Sequence, residues 1–282
     1  MRVIFTGDTH GDVATRLENI KRNMDNIVPE ETAVIIFGDA GLNYYLNKTD
    51  RKNKQRVSNI GIRVYCVRGN HEKRPQDVPG MVLVYDQDVN GFVYMEEKFP
   101  LIRYLVDGGE YTINGRTFLV IGGAYSVDKY YRLARSAGCS FSGWFENEQL
   151  SAEERDEILN KVKGNHYNFV LTHTAPIIWE PSDLFLSGID QSTVEKDMEY
   201  WLKDVSDRIS WDYWMFGHYH ADRIEAPHVE QFYMEYEDLD DVVERWERYD
   251  ETGELEWWLP KSPRMKAIMK DMVANETKSV LS

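Results

Sequence analysis

Short apolar runs punctuate the chain, each ending abruptly in Gly or Thr and a polar cluster. Arg2-Val3-Ile4-Phe5, Ala33-Val34-Ile35-Ile36-Phe37, Arg63-Val64-Tyr65-Cys66-Val67, Phe169-Val170-Leu171 and Tyr213-Trp214-Met215-Phe216 read as buried strands of an α/β sheet. Helical spacing separates the early ones. Val13, Leu17, Ile20, Met24 and Ile27 recur at steps of four, three, four and three, which predicts a helix with one apolar stripe. Residues 50 to 60 are very polar and predict a surface helix. Met81-Val82-Leu83-Val84 opens a region of alternating residues. Glu110-Tyr-Thr-Ile, Asn114-Gly115 and the following Arg-Thr-Phe-Leu-Val-Ile predict a hairpin with a type I′ turn. Ser151 with Glu154, and Ser192 with Glu195, are capping-box pairs that predict two helix starts. The second helix would align Val194, Met198, Trp201, Leu202 and Val205. A further strand is expected near Gln231-Phe-Tyr-Met-Glu-Tyr. From Glu237 the composition shifts: Asp238 to Glu247 is acidic and amphipathic, Trp257-Trp258 and Pro260 interrupt, and a Met-rich basic helix is expected from Pro263 to about Ala274. The pattern divides the chain into a domain over 1–236 and an appendage over 237–282 that wraps the core or meets a partner, such as a second copy.

The polar residues just beyond these strands carry the chemistry. Asp8 and His10 come after the first, Asp39 after the second, and Asn70 and His71 after the third. His173 comes after the fourth, and His218 and His220 after the fifth. Ligands bind outside the carboxyl ends of such strands, so these groups can meet in one crevice. Alone, an Asp-x-His or a Gly-Asn means little, since Gly-Asn is a common turn pair. Five ordered clusters at strand ends are a different matter. Phosphoester hydrolysis is slow enough in water to call for accelerations of up to about 10²¹-fold. Two divalent ions about 3.5–4 Å apart achieve much of this by acidifying a shared water and clamping phosphoryl oxygens. Such a pair needs a shared carboxylate, oxygen and imidazole ligands, and few thiolates.

Charge narrows the partners. With 48 acidic against 33 basic residues the net charge is −15, and no basic stripe is visible. A long polyanion would be repelled, so a small phosphorylated substrate is favoured and long nucleic acid disfavoured. No run approaches the roughly 18 apolar residues of a membrane helix, so no membrane partner is expected. A strand beginning at Arg2 leaves no room for a signal peptide, and two distant cysteines, Cys66 and Cys139, fit a reducing, cytoplasmic setting. His166 and His228 follow no strand and read as structural.

The series Gly7-Asp8-Thr9-His10-Gly11, Gly38-Asp39, Gly69-Asn70-His71-Glu72, Thr172-His173 and Gly217-His218-Tyr219-His220 resembles the calcineurin-like metallophosphoesterase superfamily. Val106-Asp107-Gly108-Gly109-Glu110 and Gly122 to Lys129 are similar to a bacterial and phage branch of undefined substrate. The resemblance implies an α-β-β-α sandwich of two mixed sheets flanked by helices. It also implies two divalent metal ions, with Mn²⁺ first and Fe or Zn²⁺ as alternatives. Asp8, His10 and His220 would hold one, Asn70, His173 and His218 the other, and Asp39 would bridge them. His71 would be the acid that protonates the leaving oxygen.

Departures qualify the substrate. Arg68-Gly69-Asn70-His71-Glu72 is similar to the protein Ser/Thr phosphatase branch, and Arg68 is a candidate phosphate contact. That branch also carries Asp-Arg-Gly after its second motif, whereas this chain reads Gly38-Asp39-Ala40-Gly41 and lacks that arginine. Lys129 and Arg132 are weaker candidates, and Tyr44, Tyr45, Tyr130 and Tyr131 are set between packing and stacking on a base. The expected activity is hydrolysis of a phosphomonoester or phosphodiester, with a nucleotide-type substrate. Protein phosphatase, nuclease and non-catalytic scaffold are the alternatives.

Overall fold

The computed structural model describes residues 1–136, 143–186, 188, 191–255 and 260–280. Cys139 and Trp257-Trp258 lie outside the described residues. Strand and helix alternate first, as β1 (Arg2–Thr6), α1 (Val13–Asn23), β2 (Thr32–Ile36), α2 (Lys48–Ile60) and β3 (Arg63–Cys66). Then come β4 (Met81–Asp86), β5 (Gly91–Glu96), β6 (Ile102–Leu105), β7 (Gly109–Ile113), β8 (Arg116–Ile121) and α3 (Lys129–Arg135). The next elements are α4 (Ala152–Val162), β9 (His166–Thr172), α5 (Asp197–Arg208) and β10 (Ser210–Phe216). Finally come β11 (Arg223–Ala226), β12 (Val229–Gln231), β13 (Tyr236–Asp238), α6 (Leu239–Thr252) and α7 (Pro263–Val280). One sheet runs β13-β1-β2-β3-β6-β5-β4 and the other β11-β12-β10-β9-β8-β7.

Side-chain alternation decides the layering. Val3 and Phe5 of β1 face one way and Ile4 the other; Ala33 and Ile35 of β2 oppose Val34 and Ile36. In the second sheet Phe169 and Leu171 oppose Val170, and Met215 opposes Trp214 and Phe216. An unbroken apolar run thus furnishes two buried faces at once. The inner faces share a core between the sheets, where Phe5, Phe37, Phe118, Phe169 and Met215 meet. Outside, α1 and α2 cover the first sheet through Leu17, Ile20 and Val57, and α4 and α5 cover the second through Val162, Met198 and Leu202. The α-β-β-α sandwich expected from the resemblance is what forms. Asn114 at φ 51° and Gly115 at φ 80° make the Asn-Gly hairpin as expected, since both central residues of a type I′ turn need positive φ.

Three boundaries differ from expectation. α1 stops at Asn23, so Met24 and Ile27 reach the core from the loop beyond it. The helix expected from Ser192 starts only at Asp197, leaving Val194 outside, and the Glu195 carboxylate accepts from Gln149 Nε2 at 3.0 Å. The strand expected near Gln231 is split into β12 and β13. The Asp222 carboxylate accepts the amides of Tyr233, Met234 and Glu235, which removes that stretch from the ladder.

The later chain joins the same architecture. β13 pairs antiparallel with β1, Ile4 opposite Asp238. α6 lays Leu239, Val242, Trp246 and Tyr249 into the core between the sheets. Its Arg245 is buried against Glu230 and Glu237, and Trp246 Nε1 donates to Glu230 at 2.5 Å. α7 continues to Val280, past the expected end. Among the described residues no helix is long and apolar enough to cross a membrane.

Candidate metal centre

β1, β2 and β3 lie side by side and parallel in one sheet, and β9 and β10 do so in the other. Their carboxyl ends open on the same rim, where two contacts stitch the sheets together and a third ties β9 to β10 within the second sheet. His173 Nδ1 lies 2.7 Å from the Phe37 carbonyl, the His218 amide donates to Asp8 Oδ1 at 3.0 Å, and the Gly217 amide donates to the His173 carbonyl at 3.0 Å. Approach this close needs glycine. Gly38 has φ 102°, and a Cβ there would fall 1.9 Å from His173 Nδ1. At Gly69 a Cβ would fall 1.9 Å from Asp39 Oδ1.

Asp8, His10 and His220 bring their ligand atoms within 4.8 Å of one another, as do Asp8, Asp39 and His173, and again His10, Asp39 and His71. Asp8, His10 and Asp39 each belong to two of these sets. His10 Nε2 and His220 Nε2 are 2.9 Å apart, and lie 3.9 and 3.4 Å from Asp8 Oδ2. That oxygen is buried and has no hydrogen-bond partner. Asn70 Oδ1 and His173 Nε2 face each other at 2.9 Å. His218 stands beside them, its ring centroid 5.0 Å from that of His173. His10, Asp39, His218 and His220 have φ of 46°, 45°, 69° and 52°. Left-handed backbone costs a non-glycine residue about 1 kcal/mol or more and tends to cluster at functional sites.

Electrostatics agree with the geometry. Burial alone would raise the Asp39 carboxyl, but His173, His71 and His10 and the His71 amide, which donates at 2.8 Å, hold it well below the usual carboxylate range. Burial pushes His218 well below the ordinary imidazole value, aided by His173. His220 is raised, chiefly by its contact with Asp8. Burial also lowers His71, against the pull of Asp39.

A divalent cation fits this donor set on the structure's own terms. Asp8 Oδ2 is a buried orphan acceptor, which ordinarily costs about 1–3 kcal/mol. Asn70 Nδ2 donates to Ser126 Oγ at 2.8 Å and His173 Nδ1 is turned to Phe37, so in a neutral ring two lone pairs confront each other. A cation beside Asp8 Oδ2, and another between Asn70 Oδ1 and His173 Nε2, would satisfy these atoms. Carboxylates, imidazoles and one amide oxygen suit Mn²⁺, Fe or Zn²⁺. Cys66 is buried on the outer face of the first sheet, against α1 and α2.

Arg68 is not brought to this cluster. It is 1% exposed; Nε donates to Asp107 at 2.8 Å, and the terminal nitrogens donate to the carbonyls of Glu148 and Gly122 at 2.6 and 3.2 Å. The role it does have was not legible in the sequence. Glu148 accepts from Ser126 Oγ at 2.5 Å and from the Ser126 amide at 2.9 Å, and Ser126 in turn fixes the Asn70 amide. Arg68 thus anchors a buried relay that aims Asn70 Oδ1 at the site. Only the loop from Gly122 hinted at Ser126, and nothing marked Glu148. Lys129 lies over the Trp144 ring at 4.5 Å, and Tyr44 packs edge-on to Tyr45 at 4.6 Å, while Tyr130 and Tyr131 are exposed. His166 and His228 sit elsewhere, beside Ser210 and Asp250. Arg132 does reach the cluster, with Nη2 2.8 Å from His71 Nδ1.

Two mixed sheets that deliver carboxylates, imidazoles and an amide oxygen to one rim define a metallohydrolase of the two-sheet sandwich class. The chain belongs to the calcineurin-like phosphoesterase family, whose profile matches residues 1–222, and it is accordingly a metallophosphoesterase. No curated protein sequence matches the chain. Among solved structures, one crystal structure shares 11% identity with a TM-score of 0.48, over 85% of this chain and 95% of that one.

Proposed function

We propose that the protein is a dinuclear metal-dependent phosphohydrolase acting on a small, nucleotide-type phosphoester, with Mn²⁺ as its metal. The 2.9 Å approach of Asn70 Oδ1 to His173 Nε2 is the observation that carries this reading, together with the orphan Asp8 Oδ2. Asp8, His10 and His220 would hold one ion, Asn70, His173 and His218 the other, with Asp39 shared. Bound there, divalent ions supply a water of lowered pKa and neutralise charge on the phosphoryl oxygens. The chain's own groups do the rest. His71 lies 4.0 Å from Asp39 with a quarter of its side chain open to solvent, so it can meet a leaving oxygen and give it a proton. The acidic surface holds long polyanions away and leaves recognition to the rim. Titrating the metal-free protein with Mn²⁺ by calorimetry, alongside turnover of a phosphoester panel, tests the reading. Two bound ions with turnover that Asp39→Asn abolishes support it; one ion or none, or turnover indifferent to Asp39→Asn, overturns it.

A further inference from the structure

We propose that Arg132 is the phosphoryl-binding arginine of this protein and that it selects a phosphomonoester dianion over a diester. The inference rests on the phosphohydrolase reading above and deepens it. Among the described residues, Arg132 is the one cationic side chain hydrogen-bonded to a member of the His/Asp cluster. Its Nη2 lies 2.8 Å from Nδ1 and 3.2 Å from Nε2 of His71, whose Nε2 is in turn 4.0 Å from Asp39 Oδ2. The guanidinium therefore sits one imidazole away from the shared carboxylate.

The position is built in advance. Asp128 takes Nε at 2.7 Å, and Nη1 donates to the Gly143 carbonyl at 2.7 Å and to the Tyr44 hydroxyl at 3.2 Å. These contacts fix the plane of the fork and leave Nη2 aimed at the site, with the side chain 15% exposed. The loop that leads into α3 is tied to the same centre, where Ser126 holds Asn70. Other nearby guanidinium groups are committed elsewhere. Arg68 is buried against Asp107, and Arg16 against Thr6 and the Tyr233 carbonyl. In a chain of net charge −15 that lacks an arginine after Asp39, α3 supplies the local cation instead.

The chemistry then chooses the substrate. An imidazole nitrogen is a neutral acceptor, whereas a phosphoryl oxygen adds a full charge opposite to the guanidinium, so an arriving phosphate takes Nη2 from His71. A monoester dianion brings three terminal oxygens and two charges; a diester brings two oxygens and one charge. A donor fork placed apart from the metal ligands rewards the extra oxygen and the extra charge.

The test compares wild type, Arg132→Ala, Arg132→Lys and Asp39→Asn with Mn²⁺, using p-nitrophenyl phosphate and bis(p-nitrophenyl) phosphate. Arg132→Ala should lose about 10²–10³-fold in kcat/KM on the monoester, the cost of removing one transition-state donor, and several-fold at most on the diester. Arg132→Lys should recover part of the loss, because a point charge replaces the fork. Calorimetry with inorganic phosphate gives a second readout: affinity for the Mn²⁺-loaded protein should fall about tenfold or more in Arg132→Ala, with Mn²⁺ binding itself unchanged. Equal losses on both esters, or unchanged phosphate affinity, overturn the assignment. A dead Asp39→Asn beside a fully active Arg132→Ala removes Arg132 alone; an active Asp39→Asn removes the hydrolase reading and this one together.

Discussion

Asn70 Oδ1 lies 2.9 Å from His173 Nε2, with the Asn70 amide donating to Ser126 and His173 Nδ1 turned to the Phe37 carbonyl, so that in a neutral ring two acceptors face each other. Such a pair is held together by the fold and against its own electrostatics, so a cation between the two should stabilise the folded state. Saturating Mn²⁺ at about 100 times its Kd adds about 2.7 kcal/mol per site. Melting curves in Mn²⁺ and in EDTA should therefore separate clearly, and superimposable curves would remove the metal from the centre.

Asp39 is a fully buried carboxylate shared by two of the three ligand groups, and under the dinuclear proposal it is the charge common to both ions. If two dications share it as proposed, Asp39→Asn removes the charge that offsets them. Turnover should fall to background and tight binding of both ions should be lost, as read by calorimetry.

His71 is expected to act on the leaving group and to hold no metal. Its replacement by Ala should keep both ions and slow turnover by about 10²–10⁴-fold, the range of general acid catalysis. Unaltered turnover would take it out of the mechanism.

Ser126 stands between Asn70 and Glu148 and is itself buried. Ser126→Ala leaves the Asn70 amide free to rotate and Glu148 with fewer donors. Mn²⁺ affinity should fall about 10–100-fold, as expected when a ligand loses its orienting partner. Stability should fall by about 1–3 kcal/mol in denaturant titrations. An unchanged Mn²⁺ isotherm would show that the relay does not orient Asn70.

Glu199 on α5 offers a test by pH. Burial pushes its carboxyl from the ordinary 4.5 up to about 7, with the Thr174 hydroxyl, which donates at 2.7 Å, pulling the other way. The folded protein keeps this proton where the unfolded chain has released it. Its contribution is complete below pH 4.5 and is lost as pH rises through about 7. At about 1.4 kcal/mol per pH unit the difference is on the order of 3 kcal/mol. Glu199→Gln should flatten that slope in unfolding experiments between pH 4.5 and 8; comparison with wild type isolates it from Glu237, which is raised into the same window. A slope identical to wild type would show that Glu199 ionises normally in the fold.

How much of this was readable before the structure depends on the range of the physics. Val3, Ile4 and Phe5, like Ala33 to Phe37, declare a strand buried on both faces, because burial leaves no polar residue to alternate. Asp8, Asp39, Asn70, His173 and His220 are legible because each comes after such a run, and the structure brings them to one rim. Arg68 misled because a guanidinium beside a ligand motif looks the same in sequence whether it faces phosphate or Asp107. Glu148 and Arg132 gave little or no signal, since their partners, Ser126 and His71, are distant in the chain. The start of α5 was misplaced too, at a place where Glu195 meets Gln149, a partner distant in the chain.

β13 lies alongside β1, and Trp246 of α6 fills the space between the sheets. A ribosome making this protein has released every proposed ligand by His220, yet the first strand still lacks its antiparallel neighbour and the interior lacks its largest ring. The nascent chain must therefore wait with Phe5 and Phe37 incompletely covered, a state prone to self-association. Shortening the gene after codon 225 should yield insoluble product, although no proposed ligand would be missing.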